Sequence, residues 1–361
     1  MLSALTTFFI KHERPLSILG LVSGFVFDII FFQRIDLLFE NVGIIAHLVI
    51  GLFAIALMHV HVGWYRRHHL LEKLRALLPF VLQFAFGGLF GKFVIFYTKS
   101  GTISSSWPFL VLLVVLFIGN EFFRSRYERL TFRLAIFFTA LFSYCIVLIP
   151  ILTKTVSAGT FLLSGILSLA LMDLVLRGLD WFSRDIDAKE RRELGYTLLC
   201  IYAVFNVMYF ANIIPPIPLA MEAAGVYHNI TRLPNGAYRV TAEEPEWLDY
   251  LRQFDRVPRL ANEPIFVYTA IFSPTRFNLT VFHHWRHYDE SVGQWKTIQR
   301  VELPIAGGRD GGFRTYSLRT SPEEGYWRVD VETVRRQLIG RINFKLEDRA
   351  TPPKFVTAIL D

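Results

Sequence analysis

Seven long runs of apolar residues fill about the first 214 positions, and from Pro215 the pattern changes to short segments in which apolar and polar residues alternate. The runs cover roughly 15–33, 42–64, 77–97, 107–122, 134–152, 158–176 and 196–214. At a helical rise of about 1.5 Å per residue most can cross a hydrocarbon core of about 30 Å, and the fourth is the shortest. Beyond the break, alternating or aromatic-rich stretches at about 224–232, 237–242, 264–273, 277–288, 294–304, 312–320, 325–332 and 336–347 predict β-strands. Turn chemistry such as Pro234–Asn235–Gly236 separates them. One helical pattern, 246–256, interrupts the series, with Trp247, Leu248, Leu251 and Phe254 on one face.

These elements predict an α-helical membrane bundle of about seven transmembrane helices over 1–214 and a proline-rich exit segment over 215–223. An all-β immunoglobulin-like sandwich over 224–361 follows, since seven or eight short strands in that length fit two packed sheets. The first run follows basic residues as a signal peptide would, but Asp28 interrupts it and no small-x-small cleavage site follows. It is read as a retained helix.

Charge assigns the sides. Lys and Arg fall on the N-terminal segment and on the second, fourth and sixth loops fifteen times, from Lys11 to Arg192, while Arg34, Lys99 and Lys154 are the three on the alternate loops. This asymmetry makes the first set cytoplasmic. An odd number of spans then places the N-terminus in the cytoplasm and the C-terminal domain in the periplasm of a bacterial inner membrane. The pI near 9.4 does not imply nucleic acid, because residues 216–361 hold 19 basic and 18 acidic side chains and nearly balance. The excess sits in loops beside anionic headgroups of the lipid bilayer. The two cysteines, Cys145 and Cys200, both lie in predicted spans, so no disulfide framework holds the exported domain.

Ionisable residues inside the spans are few. Asp28, His47 and Lys92 each fall about five residues from a predicted outer end, so one shared intramembrane polar cluster is the economical arrangement. The plainer alternative has Lys92 snorkelling, Asp28 capping a turn and His47 bonding a carbonyl. Gly20 and Gly24, with Gly87, Gly88 and Gly91, form small-residue stripes that permit close helix packing. His59, His61, His68 and His69 gather at one boundary and read as interfacial histidines, since no matching histidine boxes occur elsewhere. Arg177–Glu193 reads as an amphipathic helix on the inner leaflet.

Three motifs carry a resemblance. Phe282-His283-His284-Trp285-Arg286-His287, then Pro304 to Ser317 with its Gly307-Gly308-Arg309-Asp310-Gly311-Gly312 core, then Gly325-Tyr326-Trp327-Arg328-Val329, together resemble the bacterial family called domain of unknown function 2914. The likeness covers roughly 264–347, and the membrane half is similar to the multi-span regions that precede that domain in some members. The resemblance implies an inner-membrane protein with an exported β domain and carries no established activity.

Period-two alternation puts His283, Trp285 and His287 on one strand face and His284 and Arg286 on the other, so the run does not offer three histidines to one metal. Arg309, Arg314, Tyr316, Trp327 and Arg328 combine guanidinium forks with aromatic rings. They fit either a surface for an anionic glycan, a lipid headgroup or an envelope protein, or an internal Arg–aromatic ladder with Asp310, Asp330 and Glu332 as partners. No nucleophile elbow, phosphate loop, zinc-protease helix or dinucleotide fingerprint occurs, and no catalytic residue, metal or cofactor is assigned. The expected role is binding or scaffolding in the cell envelope. The alternative is a transporter or lipid-processing enzyme that uses the outer-leaflet polar cluster.

Overall fold

The computed structural model describes residues 12–31, 38–59, 77–99, 107–115, 130–183, 187–216, 219–244, 254–273, 278–306, 312–351 and 353–360. The chain divides into two compact units, one of residues 1–98 with 106–217 and one of 99–105 with 218–361.

Seven helices occur among the described residues of the first unit: α1 (Glu13–Phe31), α2 (Leu38–His59), α3 (Leu78–Lys99), α4 (107–115), α5 (Leu130–Thr153), α6 (Ala158–Ser183) and α7 (Ala188–Phe210). Five of them, α2, α3, α5, α6 and α7, are long and apolar enough to cross a membrane. In α1 the apolar stretch is the shorter Pro15–Phe27, and α4 has nine described residues, the rest of its predicted run lying outside them. Helix α5 packs against α2, α6 and α7. Its apolar window is therefore 89% buried, against 22% for α7, and it is hydrophobic all round because it has protein on most sides.

Close packing of α1 on α3 follows from the glycine stripes. A methyl group on Gly24 would overlap the Phe84 carbonyl oxygen, and one on Gly87 would overlap that of Leu21. The small-residue seam is thus intramolecular. The expected amphipathic helix over 177–193 falls on two helices: its first part ends α6 and its last part opens α7, residues 184–186 lie outside those described, and Arg191 of α7 pairs with Asp180 of α6. Both helices continue past their apolar stretches because backbone hydrogen bonding does not stop where hydropathy does.

Just past the Ala211 cap of helix α7, Asn212 takes a left-handed φ of 58°. The Ile213 N–H donates to Met208 O (2.9 Å) and the Asn212 N–H to Tyr209 O (3.1 Å), which closes the last turn as a Schellman motif ahead of Pro215.

The second unit holds eleven strands among its described residues: β1 (Ala220–Tyr227), β2 (Asn229–Arg232), β3 (Tyr238–Glu243), β4 (Asp255–Arg259), β5 (Ile265–Phe272), β6 (Asn278–Asp289), β7 (Gln294–Ala306), β8 (Phe313–Arg319), β9 (Gly325–Thr333), β10 (Leu338–Asp348) and β11 (Phe355–Leu360). They form a central sheet β1-β5-β8, a five-stranded sheet β4-β10-β9-β6-β7 and a small sheet β11-β3-β2. Strand β1 begins inside the segment read as the membrane exit, and the single strand expected over 224–232 is two, broken at His228. The helical pattern of 246–256 falls mostly on residues outside those described, and its last two positions open β4.

Two cores explain this layering. Ile265, Val267 and Ile271 of β5 pack with Val281, Trp285, Val329 and Phe344 of the five-stranded sheet, forming the expected sandwich. Tyr268 and Ala270, of opposite parity on β5, pack with Ile230, Tyr238 and Val240 of the small sheet. The central sheet is covered on both faces, which is why β5 reads as a nearly continuous apolar run. Strand β4 pairs parallel to β10. Its Arg259, 1% exposed, fixes that edge by donating to Asp348 (2.9 Å) and to the carbonyls of Glu263 (2.8 Å) and Pro322 (2.5 Å).

Candidate functional site

Within the helical unit, Lys92 of α3 lies 3.6 Å from Glu40 of α2, both side chains 4% exposed. Glu40 sits in the first turn of α2, where the helix N-terminus favours a carboxylate. The Lys92 Nζ comes within 3.0 Å of where a Cβ on Gly43 would stand, so this glycine makes room for the ammonium group. His47 Nδ1 bonds the Gly43 carbonyl at 2.8 Å, and its ring stacks on Phe84 at 5.8 Å. His47 and Lys92 thus both approach Gly43, while the Asp28 side chain lies outside the described residues. Glu40, two positions before the expected start of the second span, is a partner that the apolar pattern did not mark.

In the β unit, alternation along β6 sorts the histidines as expected. His283 is buried between β5 and β8, with Nε2 3.0 Å from Thr269 Oγ1 and Nδ1 2.8 Å from Ser317 Oγ. Trp285 Nε1 donates to the same Ser317 hydroxyl at 2.9 Å. One arrangement satisfies every group: the serine accepts from the indole and donates to Nδ1, and Nε2–H donates to Thr269. Burial pushes the His283 pKa down to about 3, so the ring stays neutral. This network stitches the two main sheets together across the core.

The opposite face of β6 carries charge. Asp330 of β9, 1% exposed, is approached by Arg341 Nε (2.5 Å), Arg286 Nε (3.3 Å) and Arg328 Nε (3.5 Å). Glu332 faces His284 Nδ1 at 3.2 Å and Arg286 Nη2 at 3.4 Å. The Arg328 guanidinium lies 4.6 Å over the Trp295 ring, and that ring is 5.2 Å from Tyr288. Burial, with Arg341 and Arg286 beside it, lowers the Arg328 pKa against the pull of Asp330. Three guanidiniums thus share two carboxylates in one polar layer on the solvent face of the five-stranded sheet.

The expected exported surface is dispersed. Arg309 lies outside the described residues, and Arg314 stands on β8 of the central sheet. Tyr316, on the same strand, packs against Tyr238 and Phe266 at 6.0 Å each, in the second core. Trp327 is 1% exposed, its Nε1 donating to Glu323 O at 2.9 Å, so it belongs to the interior and not to a contact surface. Of the described members, Arg328 reaches the charged layer, with Asp330 and Glu332 as the partners that the ladder reading names. Trp295, Tyr288, Arg286 and Arg341 complete that layer. Strand parity was the signal that linked them, since Arg286 and Tyr288 share a face as do Arg328 and Asp330.

Among the described residues no group of three or more His, Cys, Asp and Glu is placed to hold a metal ion.

Comparison with known proteins finds that residues 278–346 match the family described as protein of unknown function (DUF2914). No curated protein matches the chain. Among solved structures, the chain is similar to an immunoglobulin-like protein from Pseudomonas aeruginosa, at 14% identity over 27% of this chain and 80% of that one, with a TM-score of 0.18. It is also similar to a β-glucosidase from Listeria innocua in complex with gluconolactone, at 9% identity over 36% of this chain, with a TM-score of 0.20; the match spans 16% of the glucosidase's length. A Pseudomonas fluorescens alkylpurine DNA glycosylase bound to DNA containing an abasic site analogue matches at 10% identity over 87% of this chain and 99% of that one, with a TM-score of 0.21.

Proposed function

We propose that the chain is an integral protein of a bacterial inner membrane that holds its β domain in the periplasm, where the domain binds or scaffolds a component of the envelope. Five long apolar helices support the membrane assignment. The fifteen-to-three sorting of Lys and Arg between loops supports the orientation. One observation carries the binding role: the solvent face of the five-stranded sheet sets Arg286, Arg328 and Arg341 against Asp330 and Glu332 alone among the described residues, beside the rings of Trp295 and Tyr288. Cationic forks beside aromatic rings are the groups that dominate recognition surfaces.

A reporter active only in the periplasm, fused after Asp361, should be active, and one fused near Glu72 should be silent. A photo-crosslinker at Tyr288 should capture an envelope component in living cells, and one at the exposed Val334 should not. The inverse reporter pattern overturns the orientation, and equal yields at the two positions overturn the binding role.

The buried Lys92–Glu40 pair favours a second reading, in which the bundle moves protons or solutes. Reconstituted vesicles should then dissipate an imposed pH gradient with the native chain and not with Lys92→Met.

A further inference from the structure

Arg328 presents a guanidinium fork that the fold holds in place without consuming it. Its central carbon lies 4.6 Å over the Trp295 ring and its Nε faces Asp330 at 3.5 Å, while the two terminal nitrogens have no partner among the described residues. Arg286, its direct partner across the ladder, uses Nε and Nη2 on Asp330 and Glu332 and leaves Nη1. An oxyanion with two or more oxygens matches such a pair of forks. Next to them stands an aromatic row. Tyr288 and Tyr326 lie one position beyond the His287–Trp327 pair on the same solvent parity, Trp295 is 5.2 Å from Tyr288, and Lys345 Nζ lies 5.5 Å over Tyr326. An open recess adjoins the row, lined in part by His287, Tyr288, Lys296 and Lys345 and bordered by the carboxylates of Asp289, Glu290, Glu323 and Glu324, of which Asp289 is paired with Lys296 at 2.5 Å.

This sequence of chemistries, forks then rings then carboxylates, selects among ligands. A nucleic acid or an anionic bilayer carries a phosphate at every step and would be repelled by the recess, where the four carboxylates outnumber Lys296 and Lys345. A saccharide with one acidic ring followed by neutral rings meets each zone with its complement. The acid takes the arginine forks, the C–H faces lie on the tyrosines, and the hydroxyls donate to the carboxylates. Resting on the reading that the β domain is a binding module, we infer that this face binds a saccharide bearing a single carboxylate or phosphate on one ring, with Arg286 and Arg328 as its anion clamp and Tyr288 and Tyr326 as its stacking platform.

The test uses the full chain in lipid nanodiscs and a panel of three- and four-ring oligosaccharides, each with one uronate or one sugar phosphate. Each is titrated beside its neutral counterpart, with inorganic phosphate and phosphatidylglycerol vesicles as controls. At least one acidic member should bind about ten-fold or more tightly than its neutral form. Arg328→Gln should erase that preference, and Tyr288→Ala should weaken both forms, with melting temperature unchanged. If Arg328→Gln does not fold, Arg286→Gln, which removes one of two opposed like charges, carries the same arm. The inference is overturned if no member shows the preference, if phosphate or vesicles bind as tightly as the best saccharide, or if the variants bind like the native chain. Capture of a protein at Tyr288 with no saccharide preference would overturn this ligand class and leave the binding-module reading standing.

Discussion

Arg286 and Arg328 are direct cross-strand partners on β6 and β9, two like charges facing each other on one sheet surface. Opposed like charges destabilise a ladder. Here the cost is met from beneath, because the Asp330 carboxylate, 1% exposed, contacts both guanidiniums and Arg341 as well. The layer is therefore held by its buried acid, and one of its arginines is in excess for folding.

Unequal effects of substitution follow. Arg286→Gln should change the stability of the β domain by less than about 1 kcal/mol, because it relieves repulsion as it removes an ion pair. Asp330→Asn should cost about 3–5 kcal/mol, since it leaves three arginines packed around a neutral amide. Denaturant unfolding followed by tryptophan fluorescence separates the two, and equal losses would refute the asymmetry.

Acid should weaken the sandwich through His283. Its folded pKa of about 3 lies below the unfolded value of about 6.5, so between those values the unfolded chain binds the extra proton. The stability is fully present above about pH 6.5 and is lost as pH falls toward 3. From pH 7 to pH 5 the loss attributable to this ring is about 2 kcal/mol. The His283→Gln protein should have a higher starting cost but a flatter pH profile, and a profile parallel to the native one would contradict the assignment.

Lys92 and Glu40 should behave as one unit. Lys92→Met takes the ammonium away from a carboxylate at 4% exposure and should cost about 3–5 kcal/mol in detergent stability. Adding Glu40→Gln should restore part of that loss. Strict additivity in the double-mutant cycle would mean that the pair contributes nothing as a pair.

The α1–α3 seam should be intolerant of a single methyl group. Gly24→Ala and Gly87→Ala each place a carbon on a facing backbone carbonyl, which no side-chain rotation relieves. Each should lower the melting temperature of the helical unit. Gly178→Ala, where a Cβ meets nothing within 4 Å, should not, and raises helix propensity by about 1 kcal/mol.

Much of this was legible along the chain, in the features where a residue's own chemistry suffices. Hydropathy marks the helical half because each apolar side chain contributes independently of its neighbours in space. Parity put His283 and Trp285 opposite His284 and Arg286, because a pleated strand alternates whatever it packs against. The glycine stripes announced close packing, since only a missing Cβ lets two backbones approach.

Tertiary structure decided what parity and hydropathy leave open. Parity assigns Trp327 to a face, but only the packing of the central sheet over β9 made that face interior and turned an expected contact residue into core. The continuous apolar run of β5 fits a strand covered on both sides, yet the small sheet that covers its second side comes from residues 229–243 and 355–360. Lys92 needed an acid at its own depth, and folding supplied Glu40 from 52 positions away in the sequence. Arg328 found its ring in Trp295 and Arg286 found its acids in Asp330 and Glu332, on strands that the alternation pattern does not order. Local pattern fixes the face a side chain occupies; its partner depends on which strands and helices the fold sets beside it, because charge pairing and stacking act over a few ångströms of space and not along the chain.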